Sequence, residues 1–136
     1  MQTKTSLEKI ARGLAVLAGT LDTVTGAGLV FVPALMLRLM LVGPVDAGAE
    51  TFLRFTGVFV ALVGGSYLWA LRRGRRELRV VFALTAWSRL AAGAFCSWAI
   101  MTGRLPPAWG SVPATDFILA AVQAWLLQRG VFRDEN

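Results

Sequence analysis

The sequence predicts an all-α fold, a bundle of four membrane-spanning helices with both termini cytoplasmic and a short interfacial helix after the first span. Three observations predict it. The 136 residues are 56% hydrophobic and 16% charged, against about 25% charged in a soluble domain, and the mean hydropathy is +0.61. The apolar residues gather into four runs of spanning length. Lysine and arginine flank those runs, mostly on one side. Four spans with short connections use the whole chain, so residues 1–136 are expected to form a single integral membrane domain.

The first span is placed at about 10–31, from Ile10 to Phe31. Its roughly 22 residues rise about 33 Å, enough to cross. Lys4, Lys9 and Arg12 precede it, as in a secretory signal. Asp22 interrupts its apolar core and no small-residue cleavage site follows, so it reads as a retained span. The Val32-Pro33 step disfavours helix at Val32. The next stretch, "PALMLRLMLV" (33–42), contains Arg38 and is too short to cross. It reads as an interfacial helix or a kinked extension, with a re-entrant path left open.

The segment "GPVDAGAE" (43–50) has the residues of a turn. A second span follows at about 51–71, then the basic stretch "RRGRRELR" (72–79), then a third span at about 80–101. "TGRLPPAWGSVPAT" (102–115) is a Pro/Gly-rich connection. The fourth span, about 112–127, is slightly short for a full crossing, and the tail "RGVFRDEN" reads as polar.

Orientation follows from the basic residues. Ten of the fourteen lie in the N-terminus, the 72–79 stretch and the tail, while the opposite loops and flanks hold Arg38, Arg54 and Arg104. Positive residues stay inside, which puts both termini in the cytoplasm of a bacterial inner membrane. Trp69 and Trp125 then fall near the inner interface, and Trp98 and Trp109 near the outer one, as an aromatic belt.

Composition also excludes function classes. The net charge of +6 belongs to the span flanks, so no nucleic-acid partner is expected. The chain has no histidine and one cysteine, Cys96, so it offers no intramolecular disulfide and no CxxC pair, and haem and most zinc or iron sites lose their usual histidine ligand. No cofactor and no metal site are expected. No nucleophile–base pair, paired carboxylate or metal cluster suggests catalytic residues.

What remains is charge inside the spans. A charge at mid-membrane costs at least about 2.5–3.5 kcal/mol and normally faces a partner or a water-filled cavity. Asp22 lies about twelve residues from the inner end of the first span, and Arg89 about ten from that end of the third. Both are therefore roughly 15–18 Å deep, and a pair between them is expected. Small residues share their faces: Ala15, Ala18, Gly19 and Gly26 with Asp22, and Thr85, Ala86, Ala92 and Gly93 with Arg89. Such faces allow close helix approach. The second span carries Arg54, Gly57, Ala61 and Gly65 on one stripe, and the fourth carries Asp116, Ala120 and Gln123. Arg54 and Asp116 are expected near the outer mouth as a second pair, together with Arg104, Arg38 or Glu50. Trp87 is too deep for the belt and either packs on neighbours or walls a pocket. Asp22, Arg89, Arg54, Asp116, Gln123 and Trp87 are the candidate ligand-binding residues.

The order of these features is similar to a known group. An N-terminal span ending in "FVPALMLRLM", then "RFTGVFVALVGG" (54–65), then the mid-span Arg89 resemble the small bacterial DoxX-like membrane proteins and related uncharacterised four-helix families. The resemblance implies a four-helix bundle, and for some members a link to quinone-coupled oxidation of sulfur compounds. This chain lacks the cysteine pairs that thiol-redox members use.

Two functions compete. One is a non-catalytic module in the lipid bilayer that binds a quinone- or lipid-like amphipathic molecule, or serves as a homo-oligomer or accessory subunit of a larger membrane complex. The other is a small proton-coupled, multidrug-type transporter using Asp22, which Arg89 as counter-charge and the strong charge bias oppose. On the sequence alone, Asp22→Asn is expected to strand Arg89 and lower stability.

Overall fold

Proline and glycine set several of the helix boundaries. A computed structural model of the chain describes residues 2–132. The helices are α1 (Gln2–Phe31), α2 (Pro33–Leu39), α3 (Ala47–Arg73), α4 (Arg75–Met101) and α5 (Ser111–Gln128), with a 3-10 turn at Pro107–Gly110. No strand occurs among the described residues. Four segments are long and apolar enough to cross a membrane: Thr5–Phe31, Ala47–Arg73, Arg75–Met101 and Pro107–Gln128.

These segments outrun the predicted spans for local reasons. Proline at 33 breaks α1 from α2 at Val32, whose φ of −134° and ψ of 54° leave the helical region. Of the expected turn at 43–50, residues 43–46 are non-helical and 47–50 form the start of α3, because the Asp46 carboxylate accepts from the Ala49 N–H at 2.8 Å and caps the helix. The basic stretch 72–79 is not a loop. It is two helix ends joined by Gly74 alone, whose φ of 146° suits glycine and few other residues. The 3-10 turn beginning at Pro107 lengthens the fourth segment to 22 residues.

The four long helices form a ring in chain order. α1 packs most extensively on α3, α4 on α5, and α3 on α4, while α5 and α1 touch sparsely. The α1–α3 seam is close because its contact residues lack side chains. A Cβ built at Gly64 would overlap the Thr23 backbone nitrogen and lie 2.6 Å from the Gly19 carbonyl oxygen, and one at Gly26 would overlap the Ala61 nitrogen. Gly65, expected on this stripe, faces open space. The register runs Gly57, Ala61, Gly64, following the 3.6-residue period rather than a strict four-residue spacing.

An apolar core closes the end of the ring that carries Gly74. Ala11, Ala15, Ala18, Tyr67, Ala70, Leu78, Val81, Phe82, Leu126, Val131 and Phe132 are buried there together. The segment after α5 was expected to be polar, yet Val131 and Phe132 belong to this core. Gly130, at φ 67°, turns the chain back over the helix end, and the Phe132 ring meets Phe82 edge-on at 5.2 Å. The rest of the tail, 133–136, and Lys4 lie outside the side chains described. Truncation Phe132→Ala is expected to cost about 3 kcal/mol, read as a lower unfolding midpoint in detergent. Tryptophans mark both ends of the bundle, each beneath an arginine: Arg73 lies 5.8 Å from Trp69, Arg129 5.5 Å from Trp125, and Arg104 4.9 Å from Trp98.

Candidate functional site

Within the ring, helices that are not neighbours meet through polar side chains. On one diagonal, Arg89 of α4 reaches Asp22 of α1, with Nη2 donating to Oδ2 at 2.5 Å. The same guanidinium donates from Nη1 to Oδ1 of Asp116 on α5 at 2.8 Å. Arg89 thus forks between two carboxylates, the planar geometry that suits guanidinium better than ammonium. Its side chain is 8% exposed, against 16% for Asp22 and 14% for Asp116.

The other diagonal is bridged one helical turn away. Tyr67 of α3 donates to Thr85 Oγ1 at 2.7 Å, and the Thr85 hydroxyl in turn donates to the Val81 carbonyl oxygen at 2.6 Å. Gln123 of α5 donates from Nε2 to the Tyr67 hydroxyl and to Thr85 Oγ1. Thr85 lies one helical turn before Arg89 on α4, so the two layers adjoin. Every long helix contributes to this polar centre. Two of its buried atoms find no partner among the described residues, Nε of Arg89 and Oε1 of Gln123.

The structure brings four of the six candidate residues together and leaves two out. Asp22, Arg89, Asp116 and Gln123 form the centre with Tyr67 and Thr85. Arg54 does not pair with Asp116. It is bound within its own neighbourhood, to Glu50 at 2.8 Å and to the Val30 carbonyl oxygen, which satisfies an end of α1 left open by the Val32 break. Asp116 is not shallow either. Because the fourth segment starts at Pro107, it lies roughly 13 Å inside that end, within reach of the long Arg89 side chain. Trp87 is 73% exposed on the outer surface of the ring and does not line the centre. It packs like the exposed Leu84 and Leu90 beside it, as a lipid-facing residue of a spanning helix does.

Sequence reasoning passed over Tyr67. The available signal was chemical, since it is the chain's one tyrosine, set in an apolar run, and a buried phenol normally finds a hydrogen-bond partner. A cleft of about 220 Å³ opens elsewhere, between α2 and the start of α3, lined by Leu37, Arg38, Val42, Pro44, Val45 and Glu50. It is small for a ligand pocket and involves none of the polar centre. Comparison with protein-family models, curated proteins and solved structures finds no match for this chain.

Proposed function

We propose that this chain is a non-catalytic, multi-pass protein of a bacterial inner membrane that binds a small amphipathic molecule at its polar centre. Both termini and the Gly74 junction face the cytoplasm, α2 lies at the outer interface, and the Asp22–Arg89–Asp116 cluster sits at mid-membrane. Kinship with the DoxX-like proteins belongs to the same reading. One observation carries it. Three ionisable side chains from three helices meet inside an apolar bundle, an arrangement that is costly in lipid, and the two carboxylates are less buried than the arginine they share. A cluster that served only to join helices would be better closed.

The apolar core at the Gly74 end favours a binding site over a path through the bundle. The transporter reading nevertheless gains one observation, the second carboxylate. Arg89 is expected from the sequence to serve Asp22 alone, but it is shared with Asp116, so one guanidinium stands against two carboxylates.

Native mass spectrometry of the protein, extracted gently from its own membrane, tests the proposal. A co-purifying small hydrophobic mass is expected, with reduced occupancy in Asp116→Asn. A bare chain, or one carried only with other polypeptides, would replace this reading with that of an accessory subunit.

A further inference from the structure

We infer that the molecule bound at the polar centre is a lipophilic monocation, with an ammonium head seated between Asp22 and Asp116 at the α5–α1 seam. The inference rests on the amphipathic-ligand reading and narrows it to one class of head group.

Charge is the first argument. Two carboxylates share one guanidinium, so with both ionised the cluster carries one negative charge in excess. Low-dielectric surroundings penalise such a charge strongly unless it is paired. The second argument is the inventory of donors and acceptors. Arg89 engages Oδ2 of Asp22 and Oδ1 of Asp116, while Oδ1 of Asp22 and Oδ2 of Asp116 meet no donor among the described residues. The carboxylates are also the more exposed members of the cluster, and the guanidinium the more buried. The negative edges therefore face outward around an inward positive hub.

A third, independent observation is Gln123. It is fully buried, and its Oε1 is an acceptor without a donor, one layer from Arg89 through Tyr67 and Thr85. Within the centre, one donor atom, Nε of Arg89, lacks any partner among the described residues, against three such acceptor oxygens, one each on Asp22, Asp116 and Gln123. An ammonium brings three donors and a positive charge. A quinone brings carbonyl acceptors, and a phosphate brings acceptors with the wrong charge, so neither matches. The sparse contact between α5 and α1 gives a lipid-borne chain a way to lie along the seam with its head at the cluster.

The smallest cation that balances the cluster is a proton, and a lipophilic cation competes with it. Binding therefore weakens as the medium becomes more acidic. Besides the carboxylates on α1 and α5, the titratable or charged groups facing the cluster are Arg89 and Cys96 on α4 and Tyr67 on α3.

The test is calorimetric titration of the full chain in a non-ionic detergent with decylammonium, decanol and decanoate. Saturable binding of one decylammonium per chain is expected, about tenfold or more tighter than decanol, since a counter-charge in a semi-buried site is worth at least that factor. The affinity should fall by a similar factor in Asp22→Asn and in Asp116→Asn, each of which leaves a balanced pair on Arg89, and should fall on acidification of the wild type. Equal binding of decanol or decanoate, or binding unchanged in both variants, would overturn the monocation while leaving an amphipathic ligand in place. Failure of all three to bind saturably would overturn the ligand reading itself. The head-group comparison on the wild type needs no variant to fold.

Discussion

The double variant Asp22→Asn with Asp116→Asn is expected to lose about 3–5 kcal/mol of stability, the cost of stranding one buried charge, whereas either single change costs about 1 kcal/mol or less. The asymmetry comes from how Arg89 is held. It donates separately to Asp22 and Asp116, so removing one carboxylate leaves the other as counter-charge and cancels the excess negative charge as well. Removing both leaves a guanidinium, 8% exposed, with no anion beside it. A carboxylate in that position escapes by taking up a proton, but arginine stays charged in proteins. Changing Arg89→Met in the double variant should therefore restore most of the loss. The measurement is a double-mutant cycle on the unfolding free energy in detergent or bicelles. Additive single effects, or a double variant as stable as the wild type, would show that Arg89 is reached by water and that the cluster is not a buried unit. This prediction differs from the one drawn from the sequence, in which Asp22→Asn alone strands Arg89, because the structure gives Arg89 a second carboxylate, Asp116.

That difference shows where the sequence was legible. Hydropathy and flanking charge identified four spans, because lipid tolerates nothing else over such lengths, and all four helices appear at the expected places. The deep charges, Asp22 and Arg89, were legible because charge in an apolar run is rare and needs a reason. Partner choice was not. Helix α5 begins at Ser111, where it was expected, but the 3-10 turn at Pro107–Gly110 extends the segment ahead of it and sets Asp116 deeper, an extension that hydropathy does not register. Arg54 was misassigned because a nearby backbone acceptor, the Val30 carbonyl oxygen, exists only once the Val32 break is made. Val131 and Phe132 were hidden for a similar reason: two apolar residues between arginines carry no periodic signal, and the reversal at Gly130 that buries them is a tertiary effect.

The same limit governs Gly64. Substitution Gly64→Ala is expected to cost about 3 kcal/mol or more, at the upper end for an overpacked site, while Gly65→Ala next to it should be nearly silent. A Cβ at 64 would overlap the Thr23 nitrogen and crowd the Gly19 carbonyl oxygen at 2.6 Å. Those are backbone atoms of α1, which no side-chain rotation can move aside. At Gly65 nothing lies within 4 Å. Relief at 64 requires α1 to move away from α3, and α1 is the helix that carries Asp22. The seam between the helices therefore also sets the distance from Asp22 to Arg89, so Gly64→Ala should weaken decylammonium binding along with stability. Wild-type stability in Gly64→Ala, measured beside Gly65→Ala by unfolding in the same detergent, would mean that α1 and α3 do not pack backbone to backbone. In lipid, where apolar burial gives little drive for helix association, close packing of small residues is a principal source of it. The polar centre thus depends on a seam built from residues with almost no side chain. One methyl group placed at 64 tests that dependence, and the same methyl at 65 is its control.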